Sequence, residues 1–327
     1  MFFRLSFTFV LSLLFSLGLT SNASAITVFS PVVELEVAPG ETQAGVVKVY
    51  NETLDTIFLE ASIEGVTAGE KFGQPLYLPP EEAGSHLNWF SLSQTELTLN
   101  SQQVAIVPFE VIVPSNTVPG GYYAVIFWAA GASNEQDSQV VVGSRVGTLI
   151  FIKVTGDLVE AGSIENFQVN PQSVLYQFPA SFAFDFVNSG NIHLIPEGTI
   201  TVKNFLGKEK ILAINESRRF ILPNSSRLLE TFWGNSAGKG IFTNFFKQLE
   251  FELSNLTIGK HTAILDITYG SNKNAISQEI EFWVWPVRSL SLAVVVLVLL
   301  LLFIYINSKI SKWKKALISN ERQEKQQ

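Results

Sequence analysis

The stretch Ile57-Phe58-Leu59-Glu60-Ala61-Ser62-Ile63-Glu64 decides the fold. Ile57, Leu59, Ala61 and Ile63 alternate with Glu60, Ser62 and Glu64. This period of two sets apolar side chains on one face of a pleated strand and polar ones on the other. The same pattern extends in both directions. Upstream, Val33, Leu35 and Val37 alternate with Glu34 and Glu36 until Pro39-Gly40 breaks the run, and Val47 and Val49 flank Lys48 before a turn at Asn51. Downstream, Val107, Phe109, Val111 and Val113 share a face and stop at Pro114. Turn residues recurring about every 8 to 12 positions favour antiparallel sheets over strand–helix–strand units.

The pattern restarts near Gly156–Gly162. Phe182, Phe184 and Phe186 lead to the turn Asn188-Ser189-Gly190-Asn191, and Ile200 and Val202 lead to another at Asn204–Gly207. Ala263, Leu265, Ile267 and Tyr269 share a face, and Ile280, Phe282 and Val284 form the last strand. Residues 26–155 and 157–286 are each about 130 residues, the size of one sandwich with insertions. The expected fold class is therefore all-β: two tandem immunoglobulin-like β-sandwiches plus one C-terminal transmembrane helix. Two stretches break the strand pattern. Residues 66–88, rich in glycine and proline, read as a long loop, and residues 233–248 as a loop with one short helix at most.

Both ends carry membrane signals. In residues 1–25, Arg4 precedes an apolar run from Leu5 to Leu19, and Ala23-Ser24-Ala25 supplies small residues for cleavage, as a secretory signal requires. From Ser289 to Ile306 the chain reads SLSLAVVVLVLLLLFIYI without a charge. At about 1.5 Å per residue it spans roughly the hydrocarbon thickness of a bilayer, so residues 287–307 read as a transmembrane helix. Trp283 and Trp285 precede it, and Tyr305 and Trp313 lie at or beyond its end, where amphipathic rings belong. The tail, residues 308–327, carries Lys309, Lys312, Lys314, Lys315, Arg322 and Lys325 against Glu321 and Glu324, whereas Arg288 is alone on the other side. The positive-inside rule places this tail in the cytoplasm and the sandwiches outside, the topology the signal peptide also demands. Ile310, Trp313, Leu317 and Ile318 recur at helical spacing among the lysines, so the tail is either an amphipathic extension resting on anionic lipid or an orientation signal alone.

Composition excludes much chemistry. The 327 residues include no cysteine and three histidines, and the net charge is −7. Disulfides, thiolate metal sites, iron–sulfur clusters and cysteine nucleophiles are ruled out, and the balance argues against nucleic acid. No nucleophile elbow, zinc-protease motif or phosphate loop is present. His86, His193 and His261 lack metal spacing; His193 reads as a turn residue, and His261 shares the inward parity of Ala263. No catalytic residue, metal or cofactor is expected. Charge is uneven: residues 26–155 carry −10 and residues 157–286 carry −3. The first segment thus repels anionic polymers and attracts cations or basic partners, unless its acidity serves solubility alone.

Aromatic residues are the better lead. In Tyr122-Tyr123-Ala124-Val125-Ile126-Phe127-Trp128 both strand faces are apolar, so either both are covered or Tyr122 and Trp128 point outward, where rings stack on sugars or anchor a protein. Trp89-Phe90, beside the 66–88 loop, offers the same choice. An open sandwich edge is a second binding mode, although Pro108 blunts the valine-rich strand 104–113.

Certain residues also carry a family likeness. Ala38-Pro39-Gly40-Glu41, Val49-Tyr50-Asn51, Trp89, Val111-Ile112-Val113-Pro114 and Pro119-Gly120-Gly121-Tyr122-Tyr123 stand in a first exported domain. A second sandwich, one span and a lysine-rich tail follow. This layout resembles the bacterial WxL-interacting surface proteins. The resemblance implies a peptidoglycan-binding-type first domain and a host-binding second one, and no binding residues of that family map cleanly onto this sequence. The reading is a non-catalytic, single-pass bacterial cell-membrane protein that recognises cell-envelope polymer or a partner surface protein. The alternatives are an accessory or anchoring subunit of a membrane-bound envelope complex and, less favoured, an enzyme acting on envelope glycans through a carboxylate pair.

Overall fold

A computed structural model describes residues 26–69, 74–130, 145–170, 174–176, 178–234, 241–255 and 258–324. Residues 1–25, which the sequence marks as an expected secretory signal, lie outside the described residues. The chain divides into two compact units between Val159 and Glu160.

In the first unit, β1 (Ile26–Val28), β3 (Thr42–Asn51), β8 (Val104–Ile112) and β6 (Phe90–Leu92) form a four-stranded sheet in the order β1-β3-β8-β6. A second sheet runs β2 (Val32–Val37), β10 (Arg145–Val154), β9 (Gly120–Ala130), β4 (Ile57–Ala68) and β5 (Pro75–Leu78), with β7 (Glu96–Leu99) also on β4. The chain changes sheets early: β1 pairs antiparallel with β3, and β2 pairs parallel with β10. The alternation seen in the sequence explains the core. Val47 and Val49 of β3, Val107, Phe109 and Val111 of β8, Leu59 of β4 and Ile150 and Ile152 of β10 are buried in one cluster fed by both sheets.

The second unit repeats the plan. A three-stranded sheet β11 (Gly162–Asn170), β13 (Ala180–Asn188), β16 (Ser225–Trp233) faces a five-stranded one. The latter is ordered β12 (Val174–Leu175), β18 (Asn274–Val284), β17 (Gly259–Tyr269), β14 (Glu197–Asn204), β15 (Glu209–Ile214). Here too the first strand is antiparallel to its neighbour and the next is parallel, β12 on β18. Phe182, Phe184, Phe186, Ala263, Leu265, Ile267 and Phe282 are fully or almost fully buried. The molecule is thus all-β, two immunoglobulin-like sandwiches followed by one apolar helix.

Two expected loops are corrected. Within 66–88, β4 continues through Ala68 because Val66 still has a buried face to fill, and β5 pairs back onto it. A single helical turn at Pro80–Ala83 and a 3₁₀ helix at Ser85–Trp89 follow. In 233–248, Trp233 ends β16 and a helix of 15 residues, α1 (Ile241–Asn255), runs well past the stretch. Residues 235–240 lie outside the described set.

The last strand passes almost directly into α2 (Val287–Glu324). Trp285 N–H donates to the Leu175 carbonyl at 2.8 Å, and Leu290 N–H opens the helix on Pro286 O at 3.0 Å. Val287–Trp313 is long enough to cross a membrane; its most apolar 18 residues have a mean hydropathy of 3.0, and none of that stretch is buried in the protein.

Candidate functional site

The aromatic residues singled out in the first unit do not form an outward platform. Trp128 is fully buried and belongs to the core of the sandwich. Its strand, β9, is covered on both faces, which settles the choice the sequence left open. On the inner face, Tyr122, Ala124, Ile126 and Trp128 point to the core. On the outer face, Tyr123 and Phe127 lie flat over neighbouring glycines: a Cβ on Gly147 would sit 2.7 Å from the Phe127 ring, and one on Gly121 would meet the Tyr123 hydroxyl. Glycine there supplies the space that a flat ring needs. Tyr77 meets Phe127 edge-on at 5.0 Å, and the Arg145 guanidinium lies 3.9 Å from the Phe127 centroid.

Trp89 is likewise buried rather than presented. The 3₁₀ turn carries it against Tyr122, with ring centroids 4.6 Å apart, and sets His86 over the same Tyr122 ring at 5.8 Å. Tyr122 donates its hydroxyl proton to Val118 O at 2.9 Å, and burial raises its pKa. His86 Nε2 lies 3.1 Å from Tyr123 O; burial lowers its pKa, against a smaller opposing pull from that carbonyl. Phe90, half-buried, stacks on Phe109 at 6.2 Å. These rings cement the long connection onto β9.

The exposed apolar surface lies elsewhere, on the outer face of the four-stranded sheet. β3 and β8 pair so that Val46 opposes Pro108, Lys48 opposes Ile106 and Tyr50 opposes Val104. Val46, Val104, Ile106 and Ile112 are all exposed, Ile106 to 61%. Phe29, also exposed, extends the strip, its ring 5.9 Å from Tyr50. Sequence reasoning missed this surface, although the run Val104-Ala105-Ile106-Val107-Pro108 is apolar at both parities. β6 covers β8 only at Phe109–Val111, which leaves the Val104–Val107 flank unpaired on that side. Pro108 closes the open stretch: it has no N–H to offer, and its carbonyl accepts from Ser93 N–H at 3.1 Å.

In the second unit an open groove of about 460 Å³ runs between the edges of β15 and β16. Ile211 and Phe232 stand exposed on it, and the Thr231 hydroxyl donates across it to Ala213 O at 3.0 Å. Arg219 and Glu230 also line it. His261 is buried between Trp233 and Phe282, its ring 5.6 Å from each, with Nδ1 3.0 Å from Gly259 O. Burial lowers its pKa. Among the described residues, no three side chains of metal-ligating type converge.

Two asparagines that the sequence offers as turn residues are structural pivots. Asn51, fully buried, donates through Nδ2 to Asp55 O, Leu99 O and Asn100 O at 2.8–3.1 Å and accepts from Thr53 N–H. Asn188, also fully buried, donates to Ile192 O and Ile221 O at 2.8 and 2.9 Å and accepts from Gly190 N–H.

At the far end of the second unit, Trp283 on β18 and Trp285 just beyond it are each about half exposed. Tyr305, Lys309, Lys312 and Trp313 are exposed along α2, and the Lys309 ammonium lies 5.6 Å from the Tyr305 centroid. Lys314 and Lys315 continue the helical backbone.

No protein-family model matches the chain, and no curated protein sequence matches it. Solved structures do. A chaperone–tip adhesin complex of CFA/I fimbriae biogenesis aligns with 78% of this chain and 98% of its own, at 8% identity and a TM-score of 0.39. The Escherichia coli chaperone DraB aligns with 79% of this chain and 97% of its own, at 13% identity and a TM-score of 0.37. A PapD-like domain of human CEP192 covers 42% of this chain and 91% of its own, at 14% identity and a TM-score of 0.30.

Proposed function

We propose that this is a single-pass membrane protein whose two sandwiches stand outside the cytoplasm and whose work is recognition rather than catalysis. The observation that carries the reading is α2. The helix begins three positions after the last strand of the second sandwich, and its uncharged stretch of eighteen residues, Ser289–Ile306, is too long and too uniformly apolar for water. The lysines that follow set the tail on the cytoplasmic side.

The first sandwich carries the recognition surface, the strip of Phe29, Val46, Val104, Ile106 and Ile112. A unit of charge −10 that exposes such a strip suits a partner surface protein with apolar and basic groups better than an anionic envelope polymer. The residues favoured by sequence for this role, Trp89 and Trp128, support the core instead.

Retention of envelope proteins by the full chain in detergent, compared with its Ile106→Asp variant, tests the assignment. Ile106 faces solvent, so the variant keeps stability within about 0.5 kcal/mol. Loss of the retained partner with unchanged folding supports the strip; undiminished retention removes it. Extraction of the mature chain from membranes by alkaline carbonate would overturn the anchoring itself.

A further inference from the structure

At the foot of the second sandwich one helix carries apolar side chains on both its buried and its exposed face. Helix α1 buries Gln248 and Glu252 along with Leu249 and Phe251, yet turns Phe246 and Leu253 outward, 63% and 55% exposed. They lie two turns apart on one helical face, with Glu250 between them and Lys247 beside them. For a helix in water this costs hydrophobic burial, and a partner for the exposed face is implied.

Other exposed apolar groups gather at the same end. Strand register puts Asn204 of β14 beside His261 of β17, and Gly259 beside Val284 of β18, so the β14–β15 turn, the start of β17 and the end of β18 lie together. The turn projects Phe205 and Leu206, both at least 60% exposed. A Cβ on Gly259 would sit 3.4 Å from the Phe205 ring. Trp283 and Trp285 complete the rim.

Direct bonds fix this rim to the base of α2. The fully buried Glu252 carboxylate accepts from Ser289 N–H at 2.8 Å and from Ser289 Oγ–H at 2.6 Å, and Arg288 Nη1 lies 3.6 Å from its other oxygen. A carboxylate at a helix N-terminus is stabilised by the unsatisfied N–H groups and the dipole there. Lys208 ties the β14–β15 turn to α1 by donating to Ser254 O. Helix α1 is thereby held at the level where the span begins.

We infer that this rim, with Phe205, Leu206, Phe246, Leu253, Trp283 and Trp285 as its apolar contacts, docks on the outer surface of the lipid bilayer. The inference rests on the reading of α2 as a membrane span. Continuity with that span selects lipid over a second protein, because the rim surrounds the point where the chain enters the membrane. The chemistry agrees: aromatic rings favour the headgroup level, and Lys208, Lys210 and Lys247 suit anionic headgroups. The exposed carboxylates of Glu209 and Glu281 are held by Lys203 and Lys260 at 2.9 and 2.8 Å, and Glu250 stays exposed on the helix face itself, beside Lys247.

The cysteine-free chain allows single-site labelling. Full-length Phe205→Cys, Phe246→Cys, Asn272→Cys and Val296→Cys variants would carry an environment-sensitive fluorophore. Each would be reconstituted in phosphatidylcholine vesicles containing some phosphatidylglycerol, with a headgroup-region spin-labelled lipid for the labels at 205, 246 and 272 and an acyl-chain spin-labelled lipid for the label at 296. Residue 272 lies in the turn at the opposite end of β17 and β18. The inference expects the labels at 205 and 246 to be quenched at least about twofold more than that at 272, as for groups lying in the interface. Labels at 205 and 246 that behave like 272 while 296 is quenched would overturn the docking and leave the span intact. A shielded, blue-shifted label at 205 or 246 that lipid spins do not quench means a protein covers the rim, which also overturns it. An unquenched label at 296 removes the span and the docking together.

Discussion

The two sandwiches share a plan and differ in what they leave exposed. Each opens with a strand antiparallel to its neighbour, then crosses to pair in parallel with the final long strand, β2 with β10 and β12 with β18. Each ends its second core strand of the smaller sheet, β3 or β13, on a fully buried asparagine that ties distant loops. The outer surfaces then diverge. The first unit is strongly acidic and shows its apolar strip on an open sheet face. The second is nearly balanced and concentrates its exposed apolar groups at the end next to α2. A repeated architecture thus carries two different outer surfaces, because the inward parity of the strands is under packing constraint and the outward parity is free to specialise.

The largest test of the common plan removes the central ring of each core. Trp128 and Trp233 are both almost fully buried. Trp128→Ala and Trp233→Ala should each destabilise their own unit by about 3–5 kcal/mol. Hydrogen exchange on the full chain in detergent would localise each loss. Loss of protection in both units from either change would break the picture of separate cores.

Removing the pivots comes next. Asn51→Ala and Asn188→Ala each remove both N–H donors of a buried amide, shared among three carbonyls at Asn51 and two at Asn188, so losses of about 2–3 kcal/mol are expected from each. Thermal unfolding that shows a loss for one variant and none for the other would break the parallel between the two pivots.

The smallest effect is a pH dependence that each unit contributes through one histidine. His86 and His261 are held mainly by burial below the ordinary histidine value, so the folded state disfavours the charged form. The unfolded chain binds more protons in this window. The stabilisation is therefore complete above about pH 6.5 and is lost as pH falls through the lower folded values. Exchange measured from pH 7.5 downward should show both units loosening; His86→Gln should flatten the first unit's slope alone. A slope unchanged by that substitution would assign the acid sensitivity to other groups.

How much of this was legible follows from which residues obey a period. Ile57–Glu64 and Val107–Val113 were readable because one face is packed and the other wet, and their strands lie where the alternation puts them. The apolar C-terminal helix was readable from length and lack of charge. The rings were left undecided because β9 is apolar at both parities, and sequence does not tell a strand covered on both sides from one that displays a face. Gly121, two residues before Tyr123 on β9, and Gly147, opposite Phe127 on β10, make room for those rings, and the pairing that brings Gly147 to Phe127 is not written in the local pattern. Helix α1 escaped notice beyond its first turns because Gln248 and Glu252 sit inside beside Leu249 and Phe251, and Phe246 and Leu253 outside beside Lys247 and Glu250, which blurs the stripe that marks a helix in water.

The junction between β18 and α2 has a mechanical consequence. Only Trp285 and Pro286 separate strand from helix, and β18 lies in register with β17 along eleven residues. A pull transmitted along α2 loads those rungs in shear, all at once, rather than unzipping them one by one. With α2 anchored as proposed, tension on the sandwich would meet the most resistant direction of the sheet, with no slack tether to stretch first.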